Sequence, residues 1–521
     1  MVNDKSPETI GNKQKIAMIK TKNSFAFLYH WHQRIGLVMC IAVIAWALSG
    51  LAHPLISRIN PKPVFTPPTV PLQWQDVAPV EHLVKQYDLR HILHLRLFQW
   101  QNRPVYRIHS DQGIAYFSAT DLTLIEHGEK RYADFMARHY LGDSTSPVID
   151  ATPIEQFDSD YLYINRYLPV VRVNFERADN ARVYIDTQQG RLATIVDNNK
   201  SITGAFFRAL HSWTWIDSLP LRQSLMSIFL VLGFCTAAFG LVLYIKSWRL
   251  GMFRKQISAH QHHPVSRKIH RHLGATVAIF AMAFCLSGLF HLLVRDKSDQ
   301  PQPAQPLTIN AADLRLDMSV LQRVLARDDI LDIQLARIGA DLYWQLREFT
   351  PPEPPGGEHH HHHAHHAHEQ PQRDAVRYLH ATSGALLDQG WRSHAESLAL
   401  AFSEYPADSI KNIRLVKGFD NEYGFVNKRL PVHAVDFALP GNPSIYVETA
   451  SHTLAAAITD VDRLEGYSFG YLHKWHFADF LGKDIRDILT SLVALAIMMV
   501  LLLGAYRYWA TRGRRKRMAI D

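Results

Sequence analysis

Four stretches of the chain are apolar for long enough to cross a bilayer, near residues 35–57, 223–245, 273–294 and 488–506, since a spanning helix needs roughly 20 residues. The long segments between them change period. Leu93, Leu95 and Leu97 alternate with His94 and Arg96, and Pro104–His109 and Ile114–Ser118 flank a turn at Ser110–Gly113. Val170–Phe175 and Arg182–Thr187 are separated by Asp179-Asn180, and Ile333, Leu335 and Arg337, then Leu342–Phe349, repeat the scheme. Alternation of this kind predicts half-buried strands. The expected class is a membrane α-helical protein with four transmembrane helices, internally duplicated, plus two α+β domains in which helix covers an antiparallel sheet.

The duplication is read from residue matches. His32-Gln-Arg-Ile-Gly36, running to Ser49-Gly50-Leu51-Ala-His53, returns 238 positions later as His270-Arg-His-Leu-Gly274, running to Ser287-Gly288-Leu289-Phe-His291. Further on the offset is 262: Leu168-Pro169-Val170 matches Leu430-Pro431-Val432, and Leu210-His211-Ser-Trp213 matches Leu472-His473-Lys-Trp475. The increase places 24 extra residues in the second half, at the counterpart of the Ser110–Gly113 turn. There the chain carries Pro351-Pro-Glu-Pro-Pro-Gly-Gly, then His359, His360, His361, His362, His363, His365, His366 and His368. A hairpin tip tolerates such a loop at modest entropic cost.

A net charge of +8 and a pI near 9.2 invite a nucleic-acid reading, which the charge distribution opposes. Basic residues crowd beside the spans: Lys13, Lys15, Lys20 and Lys22 before the first, Lys246, Arg249, Arg254, Lys255, Arg267 and Lys268 between the second and third, and Arg512, Arg514, Arg515, Lys516 and Arg517 after the fourth. The positive-inside rule makes those regions cytoplasmic and the two long segments external. The expected division is 1–57 (cytoplasmic N-terminus and first span), 58–222 (external domain), 223–245 (span), 246–272 (cytoplasmic loop), 273–294 (span), 295–487 (external domain with the insertion at 351–373), 488–506 (span) and 507–521 (basic tail). Cys40, Cys235 and Cys285 all fall in apolar spans, so the external domains contain no disulfide. A multi-pass protein of the bacterial inner membrane, with both termini cytoplasmic and both large domains in the periplasm, fits best.

The His-x3-Gly span starts, the Ser-Gly-Leu motifs at 49–51 and 287–289, the Leu-His-x-Trp motifs at 210–213 and 472–475, and the stretches ending Tyr184-Ile-Asp-Thr187 and Tyr446-Val-Glu-Thr449 resemble the PepSY-associated transmembrane family. That resemblance covers nearly the whole chain beyond its first 25 or so residues and the histidine-rich insertion. It implies four transmembrane helices, two periplasmic PepSY domains and, as in the ferric-siderophore reductases of the family, b-type haems held by helix histidines.

Two imidazoles filling both axial positions of a haem iron leave no open site, which suits electron transfer. His32 and His53 lie 21 residues apart, so they share a helix face, with roughly 60° between them and about 31 Å of rise. Pseudo-symmetry makes His32 with His270 the natural cytoplasmic pair. On the external side it allows His53 with His291, or His211 with His473, and sequence does not choose, leaving mixed pairing such as His53 with His473, or a third haem, open as well. His30 and His272 are left as ordinary polar residues, and Trp213 and Trp475 as interfacial belt residues. The histidine tract could take a divalent metal without selectivity, as clustered imidazoles bind Zn, Cu, Ni or Fe.

The expected function is dihaem electron transfer from a cytoplasmic or quinol donor to a periplasmic ferric-siderophore or other ferric chelate, releasing Fe(II). No Gly-x-Gly-x-x-Gly follows a strand, so the chain offers no nucleotide fingerprint of its own. The rival is a non-redox membrane protein whose PepSY-like domains bind a periplasmic protein, or which senses or buffers metal through the tract.

Overall fold

The computed structural model describes residues 7–64, 66–74, 76–251, 265–295, 309–310, 330–349, 376–420 and 422–517. Within them the chain forms two compact units. The helical unit takes residues up to 59, 202–298 and from 465 onward, and the sheet unit takes 60–201 and 299–464. Segments 202–222 and 465–487, which the sequence assigns to the external domains, therefore pack with the helices.

Four long helices build the helical unit: α1 (Pro7–Ile59), α5 (Leu219–Arg249), α6 (Val265–Arg295) and α9 (Lys483–Arg517). Each contains a span long and apolar enough to cross a membrane, at Phe25–Ile59, Leu219–Arg249, Val265–Val294 and Lys483–Ala510. Helices α1 and α6 each pack against both α5 and α9, so they stand on opposite corners of the bundle. Small residues set the spacing, as expected where lipid supplies no hydrophobic drive for helix association. A Cβ at Gly233 of α5 would meet Cys285 at 3.1 Å and Met39 at 3.2 Å.

In the sheet unit, α2 (Val80–Gln86) precedes β1 (His91–Trp100), β2 (Arg103–Ser110) and β3 (Gly113–Ser118); α3 (Gly128–Leu141) then packs on the sheet β4 (Val148–Ile154), β5 (Val170–Phe175), β6 (Arg182–Asp186) and β7 (Arg191–Val196). Helix α4 (Asn198–His211) leads to the bundle. The second long segment follows the same order. It has the two-residue β8 (Ile309–Asn310), β9 (Ile330–Ile338), β10 (Asp341–Glu348) and β11 (Val376–His380). Helix α7 (Gly390–Ser403) then packs on β12 (Ile410–Val416), β13 (Val432–Phe437), β14 (Ser444–Glu448) and β15 (Thr453–Ile458), before α8 (Asp460–Ser468).

The expected hairpins are present: β2 and β3 pair antiparallel across the Ser110–Gly113 turn. The inserted residues fall between β10 and β11, and the histidine tract 359–368 lies outside the described residues. Besides cores of their own, the two segments share one. One sheet runs β11-β10-β9-β1-β2-β3, with β8 also on β1, and its central pairing sets Arg96 opposite Gln334, its own counterpart at offset 238. Buried charges join the segments at Arg96–Asp332 (2.7 Å) and at Glu448, which receives Arg191 (2.5 Å) and Arg429 (2.6 Å). Charges this deeply buried require partners.

Candidate functional site

His32 opens the apolar part of α1, and its Nδ1–H donates to the Thr236 carbonyl on α5 at 3.0 Å. His270 on α6 does the same toward Val500 on α9, at 2.9 Å. A carbonyl only accepts, so the proton is on Nδ1 and the Nε2 lone pair is left to bind a metal. The approach needs glycine. A Cβ at Gly240 would lie 2.9 Å from His32 Cε1, and one at Gly504 would lie 3.0 Å from His270 Cε1. The motif glycines serve the same contact: a Cβ at Gly36 would touch Thr236 at 3.5 Å, and one at Gly274 would touch Val500 at 3.4 Å. The His-x3-Gly spacing thus puts the imidazole and the close helix approach on one face, one turn apart.

The two rings meet across the bundle, with centroids 6.3 Å apart and planes at 55°. An imidazole nitrogen sits about 2.0–2.1 Å from a bound metal and roughly 1.1 Å from its own ring centroid, so two rings facing one metal would have centroids about 6.2–6.4 Å apart. The pair fits a bis-histidine haem.

At the other end of the bundle, His211 closes α4 and His473 closes the π turn Phe469–His473. Their centroids are also 6.3 Å apart, with planes at 89°. Ser49 and Ser287, fully buried in the Ser-Gly-Leu motifs, hold them. Ser49 Oγ donates to the Trp46 carbonyl at 2.8 Å and accepts from His211 Nδ1–H at 2.9 Å. Ser287 Oγ donates to Phe284 at 3.2 Å and accepts from His473 at 3.3 Å. Again Nε2 is free of the proton. Burial, with His53 and His291 close by, pushes His211 down to about 4, and burial beside His211 and His291 pushes His473 down to about 3. Both imidazoles are neutral, the form that ligates iron. Along α1, Ser49 stands 17 residues beyond His32, so the two pairs are separated by about 25 Å.

The structure thus brings together His32 with His270 and His211 with His473. Among the described residues no ring contact joins His53 to His291. Each instead flanks a phenylalanine that stacks on a member of the second pair: His53, Phe207 and His211 on one side, His291, Phe469 and His473 on the other. His291 Nδ1 also meets the Glu465 carboxylate. His272 bonds the Tyr244 hydroxyl at 3.2 Å.

The tryptophans differ from the belt expectation. Trp213 and Trp475 are buried, stacking on Trp46 and Phe284 with interplanar angles of 7° and 15°. Both have left-handed backbone, which turns the chain directly after each histidine motif. Sequence reasoning passed over Gly240 and Gly504, each of which stands four residues after the residue whose carbonyl its histidine meets. It quoted Ser49 and Ser287 only as parts of a motif, without the bond that explains them.

The family model described as the PepSY-associated TM region matches residues 29–512. No curated protein matches the chain.

Proposed function

We propose that this chain, which belongs to the PepSY-associated TM family, is an internally duplicated haem-b electron-transfer protein of the bacterial inner membrane that reduces a periplasmic ferric chelate. The observation that carries the reading is the paired geometry: two histidine pairs near opposite ends of a four-helix bundle, each with ring centroids 6.3 Å apart and each with Nδ1 engaged.

In this reading His32 and His270 would hold one haem b and His211 and His473 a second. A haem b held there would supply reversible one-electron chemistry. The chain's own residues do the rest. The Thr236 and Val500 carbonyls keep the proton on Nδ1 of the first pair, and Ser49 and Ser287 keep it there on the second. Trp213 and Trp475 close the apolar wall beside the second pair and limit water. His53 and His291, one phenyl ring away, shape its outer edge.

The basic segments beside the spans support a cytoplasmic position for the His32 pair, where a flavoprotein, a ferredoxin-like protein or a membrane quinol would deliver electrons. The substrate would be a ferric siderophore or similar chelate at the periplasmic face. One electron converts its Fe(III) to Fe(II), which hard oxygen ligands hold more weakly. The histidine tract 359–368 would add a non-selective metal-binding loop on that side.

The test is an absorption spectrum of detergent-purified protein, oxidised and dithionite-reduced, with a pyridine haemochromogen count. Two b haems per chain are expected. Colourless protein from cells with ample haem would overturn the reading and favour a PepSY protein that binds a periplasmic partner.

A further inference from the structure

Among the described residues, the sheet unit buries four histidines that electron transfer does not use: His94 on β1, His394 on α7, His433 on β13 and His452 in the turn between β14 and β15. All are at least nine-tenths buried. His452 stands between two of them, with ring centroids 5.8 Å from His94 and 5.1 Å from His394, and His433 stacks on Trp391 of α7 at 5.3 Å. Each ring has one nitrogen without a hydrogen-bond partner: Nδ1 of His94 and His433, Nε2 of His394 and His452. Buried groups left so cost stability, and a cluster of four asks for an explanation.

The corresponding place in the first half is filled differently. His394 and His452 lie 262 positions after Tyr132 and Gly190. There Tyr132 occupies the space alone, and a Cβ at Gly190 would collide with its hydroxyl. Gly190 has left-handed backbone, φ 65°, and His452 keeps that conformation at φ 52° although a side chain there is strained. The second half has exchanged a pair that does not titrate near neutral pH for one that does so once exposed. Among the described residues no three ligand atoms converge as a metal-binding set. What the exchange adds is therefore the capacity to take up protons.

We propose that His94, His394, His433 and His452 form an acid-sensitive latch between segments 60–201 and 299–464 of the sheet unit. His94 comes from the first segment and the other three from the second, so the cluster crosses the contact. The groups facing it favour the neutral state. Arg96 and Arg107 lie beside His94, and the Asp332 carboxylate is already shared by Arg96 and Arg347. The Gln334 amide meets His94 Nε2 at 3.1 Å, and the Tyr378 hydroxyl meets His394 Nδ1 at 2.9 Å.

Burial pushes His433 and His452 down to about 4. Burial, then the neighbouring His452, holds His94 and His394 well below 6.5. Exposed, each returns to about 6.5, so the opened form binds more protons between pH 6.5 and 4. The latch is fully closed above pH 6.5 and weakens as pH falls. Each proton taken up only on opening makes opening about tenfold easier per pH unit in that window.

The test is hydrogen exchange of the full-length protein in detergent between pH 7.5 and 5, corrected for intrinsic rates and read on peptides covering 390–403 and 444–458. Wild type should lose at least tenfold protection there between pH 6.5 and 5.5. The double variant His394→Tyr/His452→Gly, which installs the residues that pack in the first half, should keep only the shallower dependence that His94 and His433 supply. If it does not fold, His433→Phe, which keeps the stack on Trp391, should weaken the dependence. An unchanged profile in whichever variant folds, or a flat one in wild type, overturns the proposal. So does tenfold protection of the same peptides by equimolar Zn²⁺ at pH 7.5, which would make the cluster an ion site; no protection supports the latch.

Discussion

His32 and His270 hang from spanning helices and give their Nδ1 protons to peptide carbonyls at 3.0 and 2.9 Å, whereas His211 and His473 end shorter segments and give theirs to serine hydroxyls at 2.9 and 3.3 Å. The ring separation is the same at both ends. A backbone acceptor cannot be removed by substitution, but it can be reached only where the covering residue has no side chain. A hydroxyl acceptor needs no glycine and can be altered by one change. The helix-borne pair is therefore fixed by packing, and the turn-borne pair is adjustable through a side chain. Such outer partners tune ligand basicity and hence potential.

The sharpest way to break this comparison is to remove one ligand from each pair. His32→Ala should lower the haemochromogen count from two to one, and His211→Ala should remove the other. Loss of both haems from either variant would mean that the pairs do not load independently.

Next in size is glycine clearance. In Gly240→Val the new Cβ would press on His32, as Gly504→Val would on His270. Haem titration of apo-protein should show the first pair weakened about 10–100-fold, or about 1.4–2.7 kcal/mol, with the second pair unchanged. Equal weakening at both ends would contradict the packing argument.

Ser49→Ala should weaken the second pair about tenfold, the low end for loss of an outer-shell partner, and move only its midpoint in a potentiometric titration. Ser287→Ala should do less, because its bond to His473 is longer. The smallest effect belongs to Thr236→Val, which keeps the carbonyl and the side-chain shape. It should leave both haems within about twofold, well under 1 kcal/mol, and a large loss there would show that the side chain, not the backbone, holds His32.

Much of this arrangement was legible in the chain. The four spans follow from apolar length, and the strands on either side of the Ser110–Gly113 turn follow from alternation. Six of the histidines near the bundle stand out because they recur at offsets of 238 and 262. The choice between the His53/His291 and His211/His473 pairings was not legible, because it depends on Ser49 meeting a histidine 162 residues away and on Phe207 and Phe469 meeting His53 and His291 from distant segments. The shared sheet was hidden for the same reason, since nothing local marks β1 as the partner of β9. His94, His394, His433 and His452 have Asp332, Tyr132, Val171 and Gly190 at the matching offsets, so the recurrence that singled out the other histidines does not mark them.

The sequence by itself determined where the chain is apolar, how its segments repeat and which histidines stand one turn from a glycine on a helix face, because helix and strand periods are local properties of the backbone. The tertiary structure alone decided which imidazoles face each other, which nitrogen carries the proton and which four histidines share one buried space. Those outcomes depend on side chains meeting across hundreds of residues, where packing of whole elements and the need to pair buried polar atoms set the geometry.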